Sequence, residues 1–164
     1  KTELVKLDGI KSSLSELKGK PTLVVFYASW NPYLNQNTVP VLKEMINFYK
    51  TKINFAFVNL DDTQDQFKKT ANAVFKGVNG VSFYGEKGMK SDIAKQFAIY
   101  GFKMPSFVIL DKDAKVAGKT YLNIGDPLLV DALNKASGLT PPSVVPNPQM
   151  MPQMGAPAPA APTK

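Results

Sequence analysis

The sequence contains no cysteine, no histidine and no arginine; all 20 basic residues are lysine. Without cysteine there is no thiol nucleophile, no disulfide, and no thiolate ligand for zinc or an iron–sulfur cluster. Without histidine the commonest general base, the serine–histidine triads and the commonest metal ligand are gone. Without arginine there is no bidentate fork for phosphate, carboxylate or guanine. Long hydrophobic runs are missing too: the longest is about seven residues, too short to span a bilayer as a helix. Most familiar enzyme mechanisms are therefore excluded before any motif is read.

What is present fits one ordinary domain. The chain has 164 residues, 44% of them hydrophobic and 20% charged, enough for one core and too few for two. The net charge of +7 could suggest nucleic acid. The lysines are spread along the chain, however, with only Lys68 and Lys69 adjacent. That pattern reads as a solvated surface, and no nucleic-acid partner is expected.

Composition changes near Gly138. Residues 140–164 hold eight of the 13 prolines, three of the six methionines and a single charge, Lys164. Such a stretch cannot bury a core. It is expected to be a disordered, polyproline-II-like tail rich in Pro, Met and Ala. The predicted organisation is a folded unit over 1–138 and a tail over 139–164.

Within the folded unit, apolar runs alternate with helical patterns. Thr22–Ala28 and Ile53–Leu60 read as strands buried on both faces. Ser106–Leu110 is a third strand, and Lys115–Leu122 an adjoining one across a tight turn at 111–114. Helices are predicted over Thr38–Lys50, over a pattern carrying Phe67, Ala71, Val74 and Phe75, over Ser91–Phe97 with Ser91 as N-cap, and from Asp126-Pro127 to Ala136. The order implies an α/β fold with a mixed sheet.

Few side chains remain for chemistry. Asp61, Asp62 and Asp65 are acidic neighbours, and helix capping with dipole complementarity explains them better than a metal site. No pair of carboxylates is marked for glycoside hydrolysis. Met150, Met151 and Met154 could in principle act as thioether ligands for Cu(I); a Met- and Pro-containing disordered tail accounts for them better. No metal and no cofactor is expected.

Several strings in the right order resemble the thioredoxin superfamily, and within it the TlpA/ResA type (AhpC/TSA-related), which are exported thiol–disulfide oxidoreductases. Leu7–Ile10 followed by Ser13–Lys20 is similar to that family's opening hairpin. Thr22–Trp30 is similar to its first core strand and the Trp before Cys-x-x-Cys. Ile93–Phe97 with Ile99, Gly101 and Met104-Pro105 is similar to its approach to a cis-proline, and Ser106–Val116 to the strand and turn that follow. The resemblance covers about residues 4–137 and implies a thioredoxin-like mixed sheet flanked by helices.

The active-site string departs from the family. After Trp30 stands Asn31-Pro32-Tyr33-Leu34 in place of Cys-x-x-Cys. Asn31 falls on the nucleophile's position, and the resolving position falls on Leu34, or on Asn35 if the helix carries an extra residue. Pro40 comes one place later than the family's helix proline, so a bulge is expected within Asn31–Val39. The family's buried acid falls on Val25. Nucleophile, resolving group and proton acceptor are thus absent together. Asn31 should keep the helix start as an N-cap, with Pro32 at the first helical position.

The resemblance further implies that Trp30, Pro32, Tyr33, Phe102, Met104 and Pro105 lie near one another. They would either form a groove for an extended peptide or merely cover the core. The reading is a redox-inactive protein that works by binding another protein, as an accessory or assembly subunit of the cell envelope. Alternatives are a peptide-binding, chaperone-like factor for exported clients, and an oxidoreductase label that follows the fold without intrinsic activity. No small-molecule substrate is expected. The family's location implies a periplasmic or envelope-associated protein, with room for a membrane tether upstream of Lys1.

Overall fold

A computed structural model describes residues 2–31 and 34–139. Six strands form one sheet: β1 (Leu4–Lys6), β2 (Lys11–Ser12), β3 (Thr22–Tyr27), β4 (Asn54–Asn59), β5 (Val81–Tyr84) and β6 (Ser106–Leu110), in the order β2-β1-β5-β4-β3-β6. β3, β4 and β5 run parallel; β6 is antiparallel to β3, and β1 to β5. The helices are α1 (Val39–Tyr49), α2 (Gln64–Val74), α3 (Asp92–Gln96) and α4 (Pro127–Ala136). The expected mixed α/β sheet flanked by helices is observed.

The core follows from strand alternation. All six residues of β3 are buried. Leu23, Val25 and Tyr27 join a layer with Leu42, Met45 and Tyr49 of α1 and Leu129 and Leu133 of α4. Val24 and Phe26 join a second layer with Ile93 and Ala94 of α3. α2 packs Phe67 and Ala71 on Val5 and Tyr84.

Several expectations hold. The Ser91 hydroxyl accepts from the Ala94 amide at the start of α3. Asp126 caps α4 by accepting from the Leu128 amide, with Pro127 in the first turn. A five-residue π-helical turn, Leu34–Thr38, precedes α1, which is the extra residue that the late Pro40 implied.

Three expectations are corrected. Lys115–Leu122 forms no continuous strand: it touches β6 only at the bridges Phe107–Tyr121 and Leu110–Val116. Gly118, at φ +100°, lies between those two bridges. The cap of α2 is Thr63, which forms a reciprocal capping box with Gln66, so Asp61 and Asp62 do not cap it. The sequence pattern also showed no strand at Val81–Tyr84, which is only four residues long and half-covered. The tail over 140–164 lies outside the described residues.

Candidate functional site

Phe26 of β3 pairs with Ser106 of β6 in antiparallel register. The chain leaving β3 at Ala28 and the chain entering β6 through Pro105 therefore meet at one end of the sheet. β4 ends there as well, with the Leu60 amide donating to the Tyr27 carbonyl. Trp30 and Asn31, Asp61, and the segment Tyr100–Pro105 are all set on this end.

Asn31 closes a tight turn at the end of β3. Its backbone amide donates to the Ala28 carbonyl (3.1 Å) and its Oδ1 accepts from the Ala28 amide (2.8 Å). A closed turn between Ala28 and Asn31 thus engages the side-chain oxygen. The side chain is 7% exposed. Because Oδ1 is committed to a donor, the amide orientation is fixed and Nδ2 is left over; it finds no acceptor among the described residues. An unsatisfied buried donor of this kind costs about 1–3 kcal/mol.

Asn31 borders an open cleft of about 340 Å³ between the π-helical turn and α2. Ser29, Asn35, Gln36 and Thr70 supply the rest of its polar lining, Leu34 and Val74 its apolar part, and among the described residues no charged side chain lines it. Of the two positions the resemblance offers for the second cysteine, Leu34 is buried in the first core layer with Val39 and Leu42, and Asn35, which the extra residue of the π-helical turn favours, is exposed and lines the cleft. Val25, where the resemblance places the family's acid, is fully buried among apolar side chains in the same layer.

Sequence reasoning missed the role of Asp61. It is 1% exposed and turns back to β3. It accepts from the Ser29 amide (3.0 Å), the Ser29 hydroxyl (2.7 Å) and Asn59 Nδ2 (2.8 Å). The Asn59 side-chain oxygen in turn accepts from the Asp61 amide (2.8 Å). A Cβ on Gly88, which stands at φ +58°, would lie 2.6 Å from the Asp61 carbonyl oxygen, so glycine is required where that loop closes on Asp61. Burial pushes the neighbouring Tyr27 phenol up, and the Asp61 charge adds to the shift. The carboxylate anchors the turn that carries Trp30 and Asn31.

Across the sheet end, the Met104–Pro105 peptide is cis, as the resemblance implied. The Ser106 hydroxyl donates to the Lys103 carbonyl. Met104 is half-buried against the second core layer, so it covers the core as well as facing the loop. Phe102 is 84% exposed and stacks on Tyr100, with centroids 5.9 Å apart and planes at 13°. The Lys103 ammonium lies 5.5 Å from the Tyr100 ring. Trp30 is half-exposed. Pro32 and Tyr33 lie outside the described residues. Tyr100 went unremarked in the sequence; the only available signal was the Tyr-x-Phe spacing before the proline. Among the described residues no cluster of three metal-ligating side chains occurs.

Comparison with known proteins agrees with this geometry. The family model described as thioredoxin-like matches residues 19–116, and the chain belongs to that family. The C-terminal domain of a Bacteroides thetaiotaomicron protein named as a thiol-disulfide oxidoreductase superposes with a TM-score of 0.68 at 26% identity, over 83% of this chain and 90% of that one. A thiol:disulfide interchange protein DsbE from Chlorobium tepidum gives 0.67 at 23%, over 83% and 92%. The exposed lipoprotein thioredoxin of Streptococcus pneumoniae gives 0.61 at 20%, over 81% and 97%. No curated protein matches significantly. This chain has the fold of these oxidoreductases and none of their cysteine chemistry.

Proposed function

We propose that this chain is a redox-silent, protein-binding member of the thioredoxin-like family, acting in the cell envelope and docking its partner on the sheet end that carries Trp30, Asn31, Phe102, Met104 and Pro105. The observation that carries the reading is the exchange of chemistry for contact surface. On the family's pattern the nucleophile's position holds the buried amide of Asn31, the resolving position the core Leu34 or the exposed Asn35, and the acid's position the core Val25, none of them able to carry thiol chemistry. Meanwhile Trp30, Tyr100 and Phe102 remain more than half exposed beside them. Aromatic side chains bury large area at low entropic cost and dominate interface energetics. The envelope location is supported by neighbours described as an exposed lipoprotein and a secreted oxidoreductase. In this reading the folding unit is residues 1–138, with Leu139 packed against it.

The test is capture of the partner from the native envelope by the chain and by the Trp30→Ala/Phe102→Ala variant. The variant should fold normally and lose most of the partner, since each central contact contributes roughly 1–2 kcal/mol. Full retention on a folded variant would remove this face as the interface.

A further inference from the structure

Lysines that are scattered in the sequence are brought together by the fold. β3, β4 and β5 run parallel, so the loops that lead into them, 17–21, 50–53 and 75–80, lie at the end of the sheet opposite Trp30 and Phe102. These loops are tied together. The Asn54 amide donates to the Pro21 carbonyl (2.8 Å) and Asn54 Nδ2 to the Leu17 carbonyl (3.0 Å). Gly80 passes so close to β4 that an added Cβ would stand 2.4 Å from the Phe57 ring. The three loops carry Lys18, Lys20, Lys50, Lys52 and Lys76 and no acidic residue. Lys20 and Lys50 line an open cleft of about 260 Å³ with Thr51 and Asn79, and among the described residues no carboxylate lines it. The ion pairs among the described residues, Lys6–Glu16 and Lys11–Glu3, use none of these five lysines. The adjoining turn, which the Gly19 amide reaches through the Lys112 carbonyl, adds no net charge, since Lys112 and Lys115 offset Asp111 and Asp113. Lys50 stands at φ +50° after α1, where glycine is the usual residue.

An apolar element points the same way. β1 is antiparallel to β5, with Lys6 opposite Phe83, so the β1–β2 turn projects towards the end from which β5 starts. Leu7 and Ile10 on that turn are exposed, Ile10 by 61%. Asp8, the acid between them, turns its carboxylate back onto the Ile10 amide (3.0 Å). Lysines with two aliphatic side chains at their margin suit a surface that is anionic over a wide area and apolar just beneath. Lysine attracts phosphate as a point charge, without the fixed bidentate geometry of the arginine that this chain lacks. We propose that this end of the domain seats on an anionic lipid bilayer, with lipid phosphates at Lys20 and Lys50 and with Leu7 and Ile10 entering the headgroup layer. The inference rests on the reading of this chain as an envelope protein and goes beyond it. Because the two ends of the sheet are opposite, a domain seated this way holds Trp30, Tyr100 and Phe102 away from the bilayer, towards a partner.

The test is co-sedimentation of the full chain with vesicles of phosphatidylcholine alone and of an equal mixture with phosphatidylglycerol. The chain should bind the mixed vesicles and not the neutral ones, and added salt should release it. Lys20→Gln/Lys50→Gln/Lys52→Gln should weaken binding roughly a hundred-fold, at about five-fold per lysine. Ile10→Ser should weaken it about ten-fold. Lys87→Gln/Lys90→Gln/Lys95→Gln removes the same charge from exposed positions outside these loops and should weaken it less than about three-fold. Every position changed is exposed, and circular dichroism checks that each variant is folded. Equal binding to neutral and mixed vesicles, or equal loss in the two lysine variants, overturns the proposal. Displacement by inorganic phosphate at constant ionic strength overturns it in favour of a small-anion site. Partner capture is run in parallel. Capture lost in Lys20→Gln/Lys50→Gln/Lys52→Gln, with no vesicle binding by the native chain, overturns it in favour of an acidic protein at this end. Trp30→Ala/Phe102→Ala should bind vesicles as the native chain does; loss there puts the bilayer on the aromatic face and overturns the proposal. Vesicle binding that fails while capture stays sensitive to Trp30→Ala/Phe102→Ala removes the lipid contact and leaves the docking face standing.

Discussion

Two buried polar residues packed far from the docking face show what a hydrogen bond is worth in this core. Tyr49 donates to Asn134 Oδ1 at 2.8 Å, between α1 and α4, and Asn134 Nδ2 is left without a partner among the described residues. Tyr49→Phe alone should cost about 1–2 kcal/mol, since it strands a buried acceptor. Adding Asn134→Leu should recover most of that loss, because removing both partners removes the unsatisfied groups with them. Chemical denaturation of the two variants checks this; a double variant weaker than Tyr49→Phe contradicts it. Burial pushes the Tyr49 phenol up to about 12. A raised folded value means the folded state holds this proton more tightly than the unfolded chain. Its contribution is therefore complete below about pH 10, the usual phenol value, and is lost as pH rises toward 12. Melting temperatures followed across that window should fall, and less steeply in Tyr49→Phe. Asp61 lies at the same scale. The residue string Asp-Asp-Thr-Gln-Asp does not distinguish an acid that caps a helix from one that folds back, because only the tertiary approach of Ser29 decides it. Asp61→Ala should cost about 2–4 kcal/mol by leaving the Ser29 and Asn59 donors buried and unpaired.

At the scale of elements, the legible parts were those whose signal is local. β3, β4 and β6 announced themselves as continuous apolar runs, and α3 and α4 by their capping residues. β5 has two half-covered residues out of four and is made a strand by pairing with β4, which no local pattern reports. The cap of α2 was written in the sequence as Thr63-x-x-Gln66, but the preceding aspartates offered a competing and equally good signal. Thr63→Ala should cost about 1 kcal/mol, whereas Asp62→Ala should cost little, and thermal melts will separate the two. The π-helical turn was foreseen from the position of Pro40, although the turn between Ala28 and Asn31 that engages the Asn31 side chain was not. If the turn is an inserted residue, deleting exposed Gln36 should let Leu34–Thr38 close as ordinary α-helix and keep the melting temperature within about 5 °C. A larger fall would show that the widened turn is needed to seat Leu34 in the core.

For the whole molecule, the absence of a thiol sets a plain expectation: the purified protein should not reduce insulin disulfides. Asn31→Cys with Leu34→Cys should restore little, because the second thiol would sit in the core beside an apolar Val25 with no proton acceptor at that position. Strong activity in that variant would contradict this account of the site. Leu139 still packs on the first core layer and its amide donates to the Asn134 carbonyl at 2.7 Å, so truncation is placed after it. Removing 140–164 should leave the melting temperature within about 5 °C. A larger fall would mean that the tail belongs to the folding unit. The position of β3 has a further consequence. It lies between β4 and β6, bonded on both edges and covered on both faces, so its amides should exchange with deuterium only when the entire domain opens. Trp30 and Asn31 leave directly from that strand, while Tyr100, Gly101 and Phe102 lie in solvent at the tip of a short turn. Hydrogen exchange should therefore find the slowest amides of the domain at 22–27 and fast ones at 100–103, and any occupant of the face will be read as slowing at 100–103 against a clock at 22–27 that does not change.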